Sequence, residues 1–367
     1  MIDVLVVGGG PVGLATAIGC VRAGLSVTVA EPRAAPVDKA CGEGVMPAGV
    51  RRLAALGVTP DGHPLRGIRY VDATHRADAL FARGHGLGVR RTALHAALGA
   101  RAAELGVAVS PVRVTSFTQH ADHVTAAGVA ARYLVAADGL HSTIRRLLER
   151  DARSTAARAV HRTPSTAPQR YGVRLHFRVA PWTDLVEVHW TPQAEAYVTP
   201  VSPDVVGVAL LFAGHGRRSG DGGADGPGGA GPGFTARLAA FPALLDRLAG
   251  AAPASELRGA GPMRQDVHRR VHGRVLLVGD ASGYVDALTG EGLGVGLAQA
   301  EALAACLAAD RPGDYERAWR RASGSAWRFT SGLLWSRSQP LLGPRLVPLA
   351  QRFPGLFTTL VNHVAEA

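Results

Sequence analysis

The chain opens on Ile2-Asp3-Val4-Leu5-Val6-Val7, a short β-branched apolar run that suits a strand buried on both faces of a parallel sheet. Glycines interrupt it at once: Gly8-Gly9-Gly10-Pro11-Val12-Gly13 leads into an apolar helical stretch closed by Gly24, and Val27-Thr28-Val29-Ala30 follows as a second strand ending at Glu31. This is a β-α-β unit of roughly thirty residues, the size a dinucleotide fold requires. Leu94, Ala97, Leu98, Ala102 and Leu105 share one face of a helix predicted over 89–109, and Tyr133 to Ala137 is a further buried strand before Asp138-Gly139.

Between Tyr171 and Phe212 the period falls to two. Val173, Leu175, Phe177 and Val179 alternate with Arg174, His176 and Arg178, and Val186, Val188 and Trp190 alternate with Glu187 and His189, which predicts an antiparallel sheet with one covered face. From Gly214 to Gly233 the chain is mostly Gly, Pro, Asp and Ala and reads as a solvated loop. A strand returns at 274–278, running into Gly279-Asp280, and a long helix is clearest from Gly294 to Ala309. The tail from Tyr315 is rich in Leu, Trp, Phe and Pro, with helical runs broken at Pro340, Pro344, Pro348 and Pro354. No internal repeat of fixed period is present.

With 47% hydrophobic and 19% charged residues over 367 positions, the chain is globular rather than disordered. Its 40 basic and 29 acidic residues leave +11, but the cations are scattered and almost all arginine, with no stripe or aromatic platform, so nucleic-acid binding is not expected. Three cysteines, Cys20, Cys41 and Cys306, are too few and too far apart for a disulfide framework or a zinc site, and a cytoplasmic location is the expectation. The 14 histidines form no metal-binding pair, and no metal is expected. No apolar run spans a bilayer.

The chemistry concentrates at two places. Gly8-x-Gly10-x-x-Gly13 supplies a tight turn and backbone with no Cβ in the way of a pyrophosphate, which meets free N–H groups at a helix N-terminus. Glu31 accepts bonds from ribose hydroxyls at the end of the second strand, and Pro11, Val12 and Arg33 complete that half of the cofactor site. Asp280 after a strand suits sugar-alcohol hydroxyls. Gly290-Glu291-Gly292-Leu293-Gly294 presents open backbone whose helix dipole favours negative charge on a bound group. The first motif alone does not separate NAD from FAD.

Asp138-Gly139-Leu140-His141-Ser142-Thr143-Ile144-Arg145 and Gly279-Asp280-Ala281, in this order after the glycine turn, resemble motifs of the FAD-dependent monooxygenase superfamily typified by aromatic hydroxylases. The resemblance implies an α/β fold: a Rossmann-type FAD-binding domain with an inserted antiparallel β-sheet substrate domain and a C-terminal helical cap. Residues 1–165 are then the first part of the FAD domain, with a small excursion at about 62–88. Residues 166–262 form the substrate sheet, 263–310 the second part of the FAD domain, and 311–367 the helical region. It also implies FAD contacts from Asp138, Asp280 and Arg91, with Arg90 as the alternative to Arg91.

More narrowly, Lys39-Ala40-Cys41-Gly42-Glu43-Gly44-Val45-Met46-Pro47 and Tyr284-Val285-Asp286-Ala287-Leu288-Thr289-Gly290-Glu291-Gly292 are similar to the geranylgeranyl-reductase-like branch and to epoxidases and hydroxylases of lipophilic natural products. In reductases of that branch a cysteine near the flavin is important, and Cys41 fits its place. Tyr197 and Pro200 match a prenyl-reductase segment that otherwise carries two further large aromatics, absent here. The implied activity is a monooxygenase: NADH or NADPH reduces FAD, O2 adds at C4a to give a hydroperoxide, and one oxygen atom passes to a terpenoid, prenylated indole or arene. Cys41, Glu43, Tyr197 and Asp286 are the pocket candidates. The alternatives are a flavin reductase of isoprenoid double bonds, with Cys41 as proton donor, and a flavin-binding protein without turnover. The tail reads as a cap over the substrate pocket, with a weak membrane-surface contact through Trp319, Trp327, Trp335 and nearby arginines as the other reading.

Overall fold

The opening strand Ile2–Val7 lies inside an eight-stranded sheet because its residues have no use for water: Val4 to Val7 are all buried. In the computed structural model, which describes residues 1–155, 169–214 and 233–366, it pairs in parallel with Val27–Ala30 on one side and Val129–Ala136 on the other. Ala108–Ser110 and Val275–Leu277 extend the parallel set at either end. Helices Pro11–Arg22, Arg91–Glu104 and Gly292–Ala308 cover one face, and Ile144, Leu148 and Val124 pack on the other. Gly8, Glu31, Ala137 and Gly279 therefore all leave the sheet at the carboxyl ends of parallel strands, where open α/β sheets place their ligands.

The helix expected over 89–109 is shorter. It ends at Glu104, because Gly106 takes a left-handed φ of 74° and its N–H closes back on Ala103; Ala108–Ser110 then becomes an edge strand.

A second, seven-stranded sheet runs in the order Arg258–Ala260, Gln169–Arg178, Val205–Gly214, Ala194–Ser202, Leu185–Trp190, Gly67–Val71, Arg76–Leu80. The last two strands come from the 62–88 excursion, and the pairing of Leu185–Trp190 with Gly67–Val71 is parallel. The expectation of one covered face is corrected. Phe234, Leu238, Phe241 and Leu244 pack on one side, and Met263, Leu288, Val347, Phe357 and Val361 on the other. Arg174, His176 and Glu187, read as the solvent side, are buried. Alternation reports that two faces differ but not what lies against the polar one.

The tail forms Tyr315–Ser338, Leu346–Arg352 and Pro354–Ala365. Pro348 does not break a helix but sits in the first turn of Leu346–Arg352, where its missing N–H has no intrahelical acceptor to lose. The cap is tied down by a buried charge cluster. Arg170 donates to Glu195 at 2.7 Å and to Asp286 at 2.9 Å, and Arg337 of the tail pairs with Glu195. The loop expected at 214–233 falls, over 215–232, outside the described residues, as does the boundary near 165. Among the described residues no helix is long and apolar enough to cross a membrane.

Candidate active site

Gly8 leaves the first strand with φ 106°, and a Cβ on it would meet the Ala137 carbonyl oxygen at 2.5 Å. Gly13 is tighter still, since its Cβ would stand 1.9 Å from the Gly8 oxygen. Helix Pro11–Arg22 starts from Gly10 with no side-chain cap, and Gly10, Pro11 and Val12 line a cavity of about 520 Å³. Glu31 accepts the Gly9 N–H at 2.8 Å and is gripped by Arg33. Burial pushes the Glu31 carboxyl up, but Arg33 and the Gly9 amide outweigh it and hold it below the ordinary glutamate value. The buried His95 supports the turn: its Nε2 lies 2.9 Å from the Gly9 carbonyl, an acceptor, so Nε2 carries the proton.

Asp280 lies in a single 3-10 turn, Gly279–Ser282, and pairs with Lys39, the chain's only lysine, at 3.2 Å. Arg145 holds this turn in place. Its buried guanidinium donates to the carbonyls of Ala281 at 3.1 Å and Leu140 at 2.8 Å and to the Gln265 side chain at 2.7 Å, tying the Asp138-Gly139 segment to the Gly279-Asp280 segment. Gln299 accepts the Gly279 N–H at 2.7 Å. Asp138 caps helix Thr143–Thr155 through Oδ2, accepting the Thr143 N–H at 2.7 Å and the Ile144 N–H at 3.2 Å, while its buried Oδ1 has no partner. Lys39, His95, Arg145 and Gln299 went unassigned in the sequence. Lys39 and Arg145 carried a signal, as members of the Lys39–Pro47 and Asp138–Arg145 segments that resemble family motifs.

Gly290, with φ 69°, leads to helix Gly292–Ala308, whose N-terminus has no side-chain cap; Gly290, Gly292 and Leu293 line the cavity. Around Gly294 a Cβ would meet nothing within 4 Å. Arg91 also lines the cavity, near Gly10, and its backbone N–H donates to Glu43 at 2.8 Å.

The four pocket candidates fare differently. Cys41 lines the cavity, and burial pushes its thiol up, with Arg91 pulling the other way. Glu43 lines it with φ 59°, and its carboxylate is engaged by the Arg91 amide and by His176 Nε2 at 2.5 Å. Arg174 donates to Asp38 at 2.5 Å and lies 3.2 Å from His176 Nδ1, so Nδ1 is the acceptor there. Tyr197 faces the cavity, but its hydroxyl donates to the Leu288 carbonyl at 2.5 Å, which fixes the segment before Gly290. Asp286 is not among the lining residues: it turns away to Arg170 and accepts the Leu288 N–H at 3.0 Å, so its placement in the pocket is corrected. Burial raises the Asp286 carboxyl against the pull of Arg170.

Tyr197→Phe is accordingly expected to cost about 1 kcal/mol of stability by leaving the Leu288 carbonyl unpaired. Turnover should stay within roughly tenfold of the parent, below the 10²-fold and larger losses typical of removing a general acid. Denaturant unfolding and steady-state rates would check both halves.

These features fit one extended cofactor. Two uncapped helix N-termini open on the same cavity. The strand ending at Glu31 and the strand preceding Asp280 stand three inter-strand spacings apart, roughly 14 Å. A glycine cradle at one end and carboxylates at both suit a dinucleotide with a sugar-alcohol arm. That is the layout of a Rossmann-type FAD-binding fold. Residues 1–170 match the family model of the FAD binding domain. The fold resembles the flavin-dependent halogenase CmlS, with a TM-score of 0.75 and 20% identity over 91% of this chain and 64% of that one. It also resembles OxyS anhydrotetracycline hydroxylase from Streptomyces rimosus, with a TM-score of 0.69 and 24% identity over 99% of this chain and 75% of that one. Residues 1–170 thus carry an FAD-binding domain, and the whole chain shares the fold of flavin-dependent halogenases and hydroxylases. A stretch of 56 residues, 15% of this chain, is 48% identical to the menaquinone reductase of Mycolicibacterium smegmatis; it spans 14% of that protein.

Proposed function

We propose that the protein is an FAD-dependent monooxygenase, a hydroxylase or epoxidase acting on a lipophilic, electron-rich compound such as a terpenoid, prenylated indole or arene. NADH or NADPH supplies two electrons. One atom of O2 enters the product and the other leaves as water. The observation that carries this reading is the cavity itself. From the cofactor trough it continues between the second sheet and the tail, walled by Tyr70, Val188, Leu211, Phe329, Leu333 and Phe357. Two of its polar groups are already committed, Tyr197 to Leu288 and Glu43 to Arg91 and His176.

FAD, when bound, supplies the redox chemistry that activates oxygen. The residues of the chain do the rest. Gly8, Gly10 and Gly13 with the uncapped helix 11–22 receive the diphosphate, Glu31 and Asp280 take sugar and sugar-alcohol hydroxyls, and the N-terminus of helix 292–308 favours negative charge at the ring. The apolar walls orient the substrate and keep water from the reacting centre.

A second reading, a reductase of isoprenoid double bonds, is favoured by Cys41, whose half-buried thiol lines the cavity and is pushed towards holding its proton. Two measurements separate them. Product heavier by one oxygen atom, formed only under air, with Cys41→Ala turning over within tenfold of the parent, supports the monooxygenase. Saturated product formed anaerobically, with Cys41→Ala slower by 10² or more, supports the reductase. Flavin reduction that never answers to any lipophilic compound would sink both.

A further inference from the structure

Seven of the eleven large apolar side chains that are exposed among the described residues fall between Trp335 and Leu360. Four of them, Leu349, Phe353, Leu356 and Leu360, also line the cavity, so this surface is the rim of the cavity mouth. Phe353 is 53% exposed and Leu356 61%, while Val347, Phe357 and Val361 on the same two short helices are buried against the second sheet. The anchored face leaves the other pointing outward. The surface differs from the one the tryptophans suggested: Trp319 is buried, edge-on to Trp327 and bonded through its ring N–H to Ser282 at 2.8 Å, and only Trp335 is well exposed.

Charge decides what covers this rim. Between Glu316 and Glu366 the chain has seven arginines and no aspartate or glutamate. Arg328, Arg345 and Arg352 are exposed, with no carboxylate partner among the described residues. A second copy of the chain docked by two-fold symmetry would set the arginines of this segment against their own copies. Nucleic acid would meet the arginines but has no use for exposed Leu and Phe. An anionic bilayer suits both, its phosphates taking the guanidinium groups and its acyl boundary the apolar side chains.

We infer that the rim around Phe353 and Leu356 is a docking surface for an anionic phospholipid bilayer, seated so that the cavity mouth opens towards the acyl region. A lipophilic substrate then passes between bilayer and cavity without crossing water. Binding is read without turnover, so the inference stands or falls separately from the oxygenation.

The test is co-sedimentation of the FAD-loaded full chain with vesicles of phosphatidylglycerol and phosphatidylethanolamine, or of phosphatidylcholine alone. Binding to the anionic vesicles is expected, weakening with added salt, and at least tenfold weaker binding to phosphatidylcholine. Phe353→Ser with Leu356→Ser should lower the partition coefficient tenfold or more, and Arg345→Gln with Arg352→Gln about tenfold. Both pairs are exposed and should keep flavin content and melting temperature. Arg113→Gln, an exposed residue next to the edge strand of the other sheet, should change nothing. Equal sedimentation with and without vesicles, or binding indifferent to both double variants, overturns the inference. So does a dimer in light scattering that Phe353→Ser with Leu356→Ser abolishes, which would assign the face to a second copy.

Discussion

Gly13→Ala should give a chain that neither holds FAD nor reaches the parent's melting temperature, whereas Gly10→Ala should melt like the parent apoprotein and bind FAD at least tenfold more weakly. A Cβ at residue 13 would lie 1.9 Å from the Gly8 carbonyl oxygen and 3.2 Å from Ala137, so the first turn of helix 11–22 must lift off the strand. Backbone overlap of that degree costs about 3 kcal/mol or more, at the upper end of overpacking penalties, and it falls on the turn that carries the cofactor. At residue 10 the same methyl would meet only Arg91 Nη2, at 3.5 Å, so the fold has room for it. What the methyl obstructs is the close approach of a diphosphate to the backbone. Thermal melts of the apoproteins, flavin-to-protein absorbance ratios and FAD titration by fluorescence quenching separate the two effects. A Gly13→Ala protein that is yellow and melts normally would remove the physical basis for the cradle.

The glycine turn was legible because each of its requirements is local: a left-handed φ, a close approach and a free helix N-terminus all fall within a few residues of one another. Glu31 and Asp280 were legible for the same reason, each standing at the end of an apolar run. What the sequence withheld is who faces whom across long separations. Asp286 reads as a pocket acid until Arg170, 116 positions away, supplies its counter-charge and turns it outward from the cavity. Lys39 meets Asp280 across 241 positions and Arg145 reaches Ala281 across 136, and no periodicity records either pairing. Arg174 and His176 alternate with apolar neighbours like any solvent-facing strand residues. Their burial depends on a second layer that carries Asp38, Glu43 and Ser255, drawn from two distant segments. The excursion at about 62–88 is a similar case, since its two strands extend a sheet whose other members begin about a hundred residues later.

Glu291→Gln should make the apoprotein more stable than the parent at neutral and alkaline pH and no different near pH 4.5. Glu291 is 6% exposed, neither carboxyl oxygen has a hydrogen-bond partner of good geometry, and the neighbouring Thr289 hydroxyl is paired with Thr330 at 2.9 Å. Burial pushes its carboxyl from an ordinary 4.5 up to about 8, against a downward pull from Thr289. The sign follows from which state releases the proton first. Below about pH 4.5 the folded and unfolded chains both hold it, and the residue is not penalised. Between about 4.5 and 8 the unfolded chain gives the proton up while the folded chain keeps it, so stability falls by about 1.4 kcal/mol per pH unit and then levels off. At pH 7 the deficit is on the order of 3 kcal/mol, which glutamine, having no proton to lose, removes. Urea unfolding of parent and variant at intervals from pH 4.5 to 8.5 should therefore diverge steadily with pH, and parallel curves would show that the carboxyl is ionised in the fold. The location gives the penalty a purpose. Glu291 begins helix 292–308, beside the glycines that line the cavity, where a neutral acid leaves the positive end of the helix dipole uncompensated and available to negative charge on a bound group. Loss of FAD affinity in the more stable Glu291→Gln protein would show that the carboxyl itself, and not merely its neutrality, serves the site; unchanged affinity would show that neutrality suffices.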